Sequence, residues 1–123
     1  MIRGLGIDLM DVERIQSALE RHPRFLTRVY SPAEQEALRQ RGAETAAGYF
    51  AAKEAVAKAL GTGFAGFGMA DVEILADGRG RPTVQLHGGA AGLAGGARVH
   101  LSISHDGGMA LAFAVLEARE VQP

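Results

Sequence analysis

Cysteine is absent from this sequence of 123 residues, which also carries almost no net charge. Without cysteine there can be no disulfide, no thiolate nucleophile and no cysteine-ligated zinc. No apolar run approaches the roughly 20 residues that a membrane span needs, and the N-terminus, broken by glycine and aspartate, does not resemble a signal peptide. A net charge of −1 argues against wholesale attraction to nucleic acid or anionic lipid. We therefore expect a cytoplasmic protein.

Lysine is also scarce. Of the 13 basic side chains, only Lys53 and Lys58 are lysines, and both fall in one short segment of a chain that uses arginine elsewhere. The rest of the composition, 47% hydrophobic and 22% charged, is that of an ordinary folded protein. The length predicts one domain over residues 1–123.

The order of the predicted elements indicates the fold class. Alternating apolar residues predict a strand over Ile2–Met10. Helices are predicted over Asp11–Arg21, Pro32–Arg41 and Glu44–Leu60. Two hairpins follow, one turning at Asp77–Gly80 and one at His105–Gly108, with a loop or weak helix over Gly88–Gly96 between them. Helices in the first half packed on a mainly antiparallel sheet predict an α+β domain.

Asp8 is the first residue that could carry chemistry. It lies on the same face of the predicted strand as Gly4 and Gly6, whose missing side chains leave room for a ligand, another backbone or a packed helix. Asp8 could ligate Mg²⁺ together with a second carboxylate, because Mg²⁺ favours one or two carboxylates plus waters and substrate phosphates. Alternatively, Asp8 or Asp11 caps the following helix. The spacing leaves both readings open.

The longest predicted helix carries Glu54 and both lysines. Glu54 and Lys58 lie one turn apart on the side opposite the apolar stripe, an arrangement that is typical of a solvated ion pair. Lys53 projects close to that stripe, where its ammonium must reach out to solvent or meet an anion.

Two features of the sequence argue against two other kinds of functional site, a dinucleotide-binding loop and a catalytic triad. Gly61–Gly66 follows a helix end, which excludes a dinucleotide loop, and contiguous Ser104, His105 and Asp106 cannot converge as a catalytic triad.

A basic run occupies residues 14–28, where four arginines face one glutamate and the local charge is +3. Such a run is usually a solvated face. Arginines around an exposed aromatic residue can also form a docking patch for an acidic partner. The residues concerned are Arg14, Arg21, Phe25 and Arg28.

Three segments in order resemble the holo-acyl-carrier-protein synthases, the small bacterial branch of the 4′-phosphopantetheinyl transferases. They are Gly6–Asp8 with Val12–Ile15, then Phe50–Gly61 (FAAKEAVAKALG), and finally Ser102–Asp106 (SISHD). The resemblance implies a 4′-phosphopantetheinyl transferase-like α+β fold. It also implies a Mg²⁺-dependent enzyme that transfers the phosphopantetheine of coenzyme A to a serine of an apo acyl carrier protein and releases adenosine 3′,5′-bisphosphate.

The resemblance further implies roles for individual residues. Asp8 and Glu54 would hold Mg²⁺ against the pyrophosphate, and Glu54 would also position or deprotonate the attacking serine. Lys58 would neutralise phosphoryl oxygens or protonate the departing phosphate. Lys53 and His105, and less specifically Arg81 and Pro82, would bind coenzyme A.

Partners and assembly are expected from the same resemblance. The basic run, through Arg14, Arg21, Phe25 and Arg28, would dock the acidic carrier protein of fatty acid biosynthesis. The chain would form a homotrimer with active sites between subunits. Two other functions stay open: a non-catalytic module that binds coenzyme A or a nucleotide, and a Mg²⁺-dependent pyrophosphate hydrolase.

Overall fold

The structure, a computed structural model, describes residues 1–119. The elements in chain order are β1 Ile2–Asp11, α1 Val12–Arg21, α2 Phe25–Val29, α3 Pro32–Arg41, α4 Ala43–Leu60, a 3₁₀ turn Met69–Asp71, β2 Val72–Ala76, β3 Pro82–Leu86, α5 Gly88–Ala94, β4 Arg98–Asp106 and β5 Met109–Glu117. Within residues 1–119, none of the helices is long and apolar enough to cross a membrane.

The strands form two antiparallel sheets. β5 lies in the middle of a three-stranded sheet of order β1-β5-β4, and β2 and β3 form a separate hairpin. Helix α4 packs across one face of the larger sheet and is also contacted by α1 and α3. The predicted α+β class with a mainly antiparallel sheet is therefore confirmed.

Helix boundaries follow local capping chemistry. Ser31 and Glu34 form a capping box at the start of α3, in which the Ser31 backbone N–H donates to Glu34 Oε1 at 2.7 Å. Asp11 caps α1 by accepting a hydrogen bond from the Glu13 backbone N–H at 2.8 Å. Asp11, and not Asp8, is thus the helix cap that the sequence left undecided. α4 ends where Gly61 adopts a left-handed φ of 88°.

Two segments are helical where the sequence left the structure open. After Pro23 the chain forms α2 as a separate helix of 5 residues. The glycine- and alanine-rich segment forms α5 over Gly88–Ala94, because Ala90 and Ala94 are buried one turn apart and anchor it to the core.

Helix α4 is buried around most of its circumference, and not only along the predicted stripe. Of the predicted stripe residues, Tyr49, Ala52 and Val56 are buried, and Leu60 at the end of the helix is half-buried. The alanines on the remaining sides are buried as well, because a methyl side chain lets the sheet and neighbouring helices approach closely. They are Ala46, Ala47, Ala51, Ala55, Ala57 and Ala59.

The glycines of β1 allow the sheet to approach α4 closely. A Cβ atom placed on Gly4 or Gly6 would overlap a backbone carbonyl of α4, that of Ala59 or Ala55 respectively. The room left by these glycines is therefore filled by a helix, one of the readings that the sequence allowed. Asp8 is the next residue on the same face of β1, so the close packing brings its carboxylate to α4.

We expect Gly6→Ala to lower the free energy of unfolding by about 3 kcal/mol or more, because the added methyl group must displace the backbone of α4. Chemical denaturation would measure the loss. Gly78→Ala serves as the control, because a Cβ there meets nothing within 4 Å. Equal stabilities of the two variants would contradict the proposed close approach.

The opposite face of β1 and β5 is apolar and uncovered. Side chains on this face are exposed by 38% to 59%. Cross-strand pairing places Leu5 beside Val115, Ile7 beside Phe113 and Leu9 beside Leu111. We call the exposed set, Leu5, Ile7, Leu9, Leu111 and Phe113, the outer apolar face.

Candidate active site

Asp8 and Lys58 meet where β1 lies against α4. The Lys58 ammonium donates a hydrogen bond to the Ile7 carbonyl at 2.8 Å and lies 3.4 Å from Asp8 Oδ1. The other carboxylate oxygen, Asp8 Oδ2, is buried and has no hydrogen-bond partner among residues 1–119. A buried carboxylate oxygen without a partner is costly, so it is a natural ligand for a cation.

Glu54 lies one turn before Lys58 on α4 and is half-buried. Burial raises the pKa of Glu54, the negative charge of Asp8 raises it further, and Lys58 opposes the shift. Asp8 and Glu54 are therefore close enough to repel each other. The sequence placed these two carboxylates and Lys58 in one site, and the fold brings all three together.

The donor set of this cluster fits a hard divalent cation. Two carboxylates and one ammonium leave a net negative charge, and carboxylate oxygens are the ligands that Mg²⁺ prefers. Among residues 1–119 no three histidine, aspartate or glutamate side chains gather as a ready-made ligand set. Waters and substrate oxygens would therefore complete the coordination of a metal held by Asp8 and Glu54.

Lys53 lies in the core, away from this cluster. Its side chain is 0% exposed, whereas that of Lys58 is 53% exposed. The Lys53 ammonium donates to Glu34 Oε1 at 2.8 Å and to the carbonyls of Met69 and Val72 at 3.0 and 2.6 Å. Burial lowers the pKa of Lys53, and Glu34 opposes that shift.

This burial contradicts the expectation that Lys53 binds coenzyme A phosphates. All three ammonium protons have protein acceptors, which leaves none for a ligand. The anion that Lys53 meets is the Glu34 carboxylate, whose second oxygen accepts the Ile74 backbone N–H at 2.7 Å. We assign Lys53 a structural role that joins α4 to α3 and β2.

His105 lies in a small pocket of about 180 Å³ between α4, β4 and the β2–β3 hairpin. Its Nε2 is 2.8 Å from the Glu44 carbonyl oxygen. Pro82 lines the same pocket, so two of the expected coenzyme-binding positions meet there. Arg41 and Tyr49 line it too. Neither residue was identified from the sequence. The sequence signal for Arg41 was its position directly before Gly42, which separates α3 from α4.

Arg81 points elsewhere. Its guanidinium lies 3.1 Å from Asp77 Oδ2 within the β2–β3 turn, and the Arg81 side chain is 72% exposed. Arg81 borders a different groove from the one that His105 occupies. The structure thus brings Pro82 to the His105 pocket and leaves Arg81 outside it.

The predicted basic patch is divided between α1 and α2. Arg14 and Arg21 are exposed on α1, and Arg28 is exposed on α2. Phe25 was expected to be an exposed aromatic, but it is half-buried and stacks on Phe50 with ring centroids 6.0 Å apart. Its ring therefore anchors α2 to α4.

A cleft of about 690 Å³ runs beside this patch. Phe25, Val29 and Met69 provide apolar lining, and Arg24 and Arg28 provide positive charge. Arg24 therefore joins the residues that could meet an acidic partner. Its position in the basic run was the sequence signal for it.

Comparison with known families tests the resemblance noted in the sequence. The sequence profile of the 4′-phosphopantetheinyl transferase superfamily matches residues 4–114. The chain belongs to that superfamily. The matched range contains the Asp8–Glu54–Lys58 cluster and the His105 pocket, so both lie within the part of the chain that members share.

Individual superfamily members are similar over nearly their whole length. The holo-[acyl-carrier-protein] synthase of Solidesulfovibrio magneticus is 52% identical, with 95% of this chain and 99% of that protein covered. The Clostridium kluyveri enzyme of the same name is 45% identical, with 99% and 95% covered. A crystal structure of the Bacillus anthracis holo-(acyl-carrier-protein) synthase in complex with coenzyme A (3′,5′-ADP) superimposes with a TM-score of 0.84 at 36% identity, covering 97% of this chain and 99% of that one.

Proposed function

We propose that this chain transfers the 4′-phosphopantetheine of coenzyme A to a serine of an apo acyl carrier protein and releases adenosine 3′,5′-bisphosphate. The observation that carries the proposal is the cluster of Asp8, Glu54 and Lys58, in which a buried carboxylate oxygen lacks a partner among residues 1–119. Membership of the superfamily supplies the reaction class. An enzyme with acyl carrier protein and coenzyme A as its substrates would act in cytoplasmic fatty acid biosynthesis.

The residues of the cluster suit a phosphoryl-type transfer. The serine oxygen bonds to the phosphorus that bears pantetheine, and the bridging pyrophosphate oxygen leaves with adenosine 3′,5′-bisphosphate. Such a reaction needs charge neutralisation and alignment more than a protein nucleophile. Asp8 and Glu54 would hold Mg²⁺, which supplies positive charge to the pyrophosphate. Lys58 adds a mobile positive charge and can donate a proton, which arginine effectively cannot.

Glu54 has a second proposed role, and the His105 pocket completes the proposed site. Glu54, whose pKa is raised by burial and by Asp8, is suited to accept the serine proton. His105 and Pro82, with Arg41 beside them, would bind the coenzyme A phosphate or adenosine in the pocket that they line. Lys53 is not part of this site, because its ammonium is buried and fully paired.

Intact-mass measurement of a carrier protein tests the function directly. Apo carrier, coenzyme A and Mg²⁺ are incubated with the protein, and the carrier should gain the mass of one phosphopantetheine unless a chelator is present. Coenzyme A cleavage without any carrier would instead identify a pyrophosphate hydrolase. Coenzyme A binding without any mass gain on several carriers would identify a non-catalytic binding module.

The basic patch is the proposed docking surface for the carrier. Arg14, Arg21 and Arg28 are exposed on neighbouring helices, and Phe25 lies between their positions in the chain. Arg24 and Arg28 line an apolar cleft, and this combination suits an acidic protein surface with an apolar anchor.

Charge reversal at Arg14 or Arg21 should raise KM for the carrier about tenfold or more, with KM for coenzyme A unchanged, because a rim charge steers the partner and not the small substrate. Steady-state kinetics at two salt concentrations would measure this. Arg39→Glu on α3 is the control, since Arg39 is exposed and already paired with Glu36. An unchanged carrier KM and salt dependence in the Arg14 and Arg21 variants would remove the patch from the docking surface.

The outer apolar face supports the proposed homotrimer. Contiguous apolar side chains of this size are seldom left in water on a monomeric protein. Three copies that turn Leu5, Ile7 and Phe113 toward a common axis would bury them. Sharing an interface would also give a small domain the room for a coenzyme A site between subunits.

Ile7→Glu and Phe113→Glu should convert the trimer to monomers, because each would place an unpaired carboxylate in the apolar interface. Light scattering coupled to size-exclusion chromatography would report the mass. Gln85→Glu, which adds the same charge at an exposed position on β3, should leave the mass unchanged. A wild-type protein that elutes as a monomer would dismiss the trimer.

A further inference from the structure

The imidazole ring of His105 packs against the backbone of α4 in a defined position. Nε2 of its ring faces the Glu44 carbonyl oxygen at 2.8 Å. One turn later, a Cβ atom placed on Gly48 would lie 2.9 Å from that same nitrogen and 3.0 Å from Ile103 Cγ2. Packed carbon atoms do not tolerate such separations, so the ring can occupy this position only because residue 48 has no side chain.

The carbonyl also decides which imidazole nitrogen bears the hydrogen. A carbonyl oxygen only accepts hydrogen bonds, so the contact with Glu44 requires a hydrogen on Nε2. In the neutral ring Nδ1 is then an acceptor, which suits an N–H donor such as the adenine amino group of coenzyme A, and not a phosphate oxygen, in the pocket that His105 lines with Arg41 and Pro82. A histidine that is free to rotate would exchange its two nitrogens and lose this assignment.

This contact with α4 also fixes the position of His105 relative to the Asp8–Glu54–Lys58 cluster. Gly48 and Glu54 lie on the same helix, six residues apart, which corresponds to about 9 Å of helical rise. One rigid element thus sets the position of the imidazole and of the carboxylate. Movement of His105 relative to α4 would change its distance from the proposed metal site.

We propose that Gly48 and the Glu44 carbonyl form a cradle on α4 that fixes the position and the tautomer of His105. Gly48 is thereby a positioning residue for coenzyme A binding, an inference that rests on the proposed function for its kinetic consequence. Because Gly48 lines the His105 pocket and not the cleft beside the basic patch, its substitution should affect coenzyme A and leave the carrier unaffected.

Gly48→Ala tests the cradle. We expect KM for coenzyme A to rise roughly tenfold, as for the loss of one hydrogen bond to the ligand, with kcat and KM for the carrier within about twofold of wild type. Gly92→Ala is the matched helical control, because a Cβ on Gly92 of α5 meets nothing within 4 Å. It should leave all three constants unchanged.

A double-mutant cycle separates positioning through His105 from a general effect on the fold. In a His105→Ala background, Gly48→Ala should raise KM for coenzyme A less than twofold further, because the ring it displaces is already gone. The same tenfold rise in both backgrounds would overturn the proposal. So would wild-type kinetics of the Gly48→Ala single variant.

A spectroscopic readout keeps the cradle testable apart from catalysis. Imidazole ¹⁵N spectra should show His105 with its hydrogen on Nε2 in the wild type and a different or mixed state in Gly48→Ala. Identical His105 spectra in the two proteins would overturn the cradle. If the wild type transferred no phosphopantetheine, the proposed function would fail, and these spectra with calorimetric coenzyme A affinities would still decide the inference.

Discussion

Replacing Asp8 with asparagine should slow phosphopantetheine transfer about 10³-fold, the scale on which removal of one preorganised electrostatic group acts. The amide keeps the size of the side chain but removes the charge that balances a divalent cation. The buried oxygen without a partner, Asp8 Oδ2, is replaced by a neutral donor or acceptor that binds Mg²⁺ far less well. The time course of carrier mass would measure the rate.

Asp11→Asn is the matched control for this substitution. Asp11 lies three residues later and caps α1, a position that asparagine fills about as well as aspartate. Its transfer rate and stability should equal those of the wild type. Calorimetric titration with Mg²⁺ should show weakened binding for Asp8→Asn alone. A wild-type rate and Mg²⁺ affinity in Asp8→Asn would remove Asp8 from the metal site.

Local chemistry explains what the sequence predicted correctly. Ser31, Pro32 and Glu34 define the start of α3 through contacts within a single turn, and Gly61 ends α4 through its own backbone conformation. Asp8, Glu54 and Lys58 came from a motif resemblance, and the packing of two glycines against α4 brings them together. These features depend on neighbours in the chain or on a motif that already encodes the long-range contact.

What the sequence left open concerns contacts between distant segments. Alternation on β1 identified two faces but did not tell which would face the core, and the glycine face packs on α4 while the outer apolar face is exposed. Arg81 ends the β2–β3 turn and Pro82 begins β3, but only Pro82 reaches the His105 pocket, because Asp77 holds the Arg81 side chain. Periodicity carries no information on such partners.

Lys53 is the clearest case, since its position near an apolar stripe allowed either a solvent-exposed ammonium or a buried ion pair. The deciding partner, Glu34, lies 19 residues earlier and also serves as part of the α3 capping box. Two backbone carbonyls complete the coordination. The same motif therefore contains one lysine that stabilises the fold and another, Lys58, that faces the proposed reaction.

Lys53→Met should lower the free energy of unfolding by about 3–5 kcal/mol, because it leaves the Glu34 carboxylate buried without its counter-charge. Denaturant titration would measure the loss. Lys58→Met is the control for stability only and should cost about 1 kcal/mol or less, since the Lys58–Asp8 pair is partly solvated. Each substitution removes one ammonium group from the same helix, so the difference between their losses of stability reports the effect of burial.

The double variant Lys53→Met with Glu34→Gln distinguishes a structural ion pair from a ligand-binding lysine. Neutralising both partners removes the uncompensated charge, and the amide oxygen introduced by Glu34→Gln can still accept a backbone N–H from Ser31 or Ile74. The double variant should therefore be more stable than Lys53→Met alone, and it should bind coenzyme A with wild-type affinity. Weak coenzyme A binding at recovered stability would mean that Lys53 does contact the ligand, and the buried pair would then be a feature of the ligand-free protein alone.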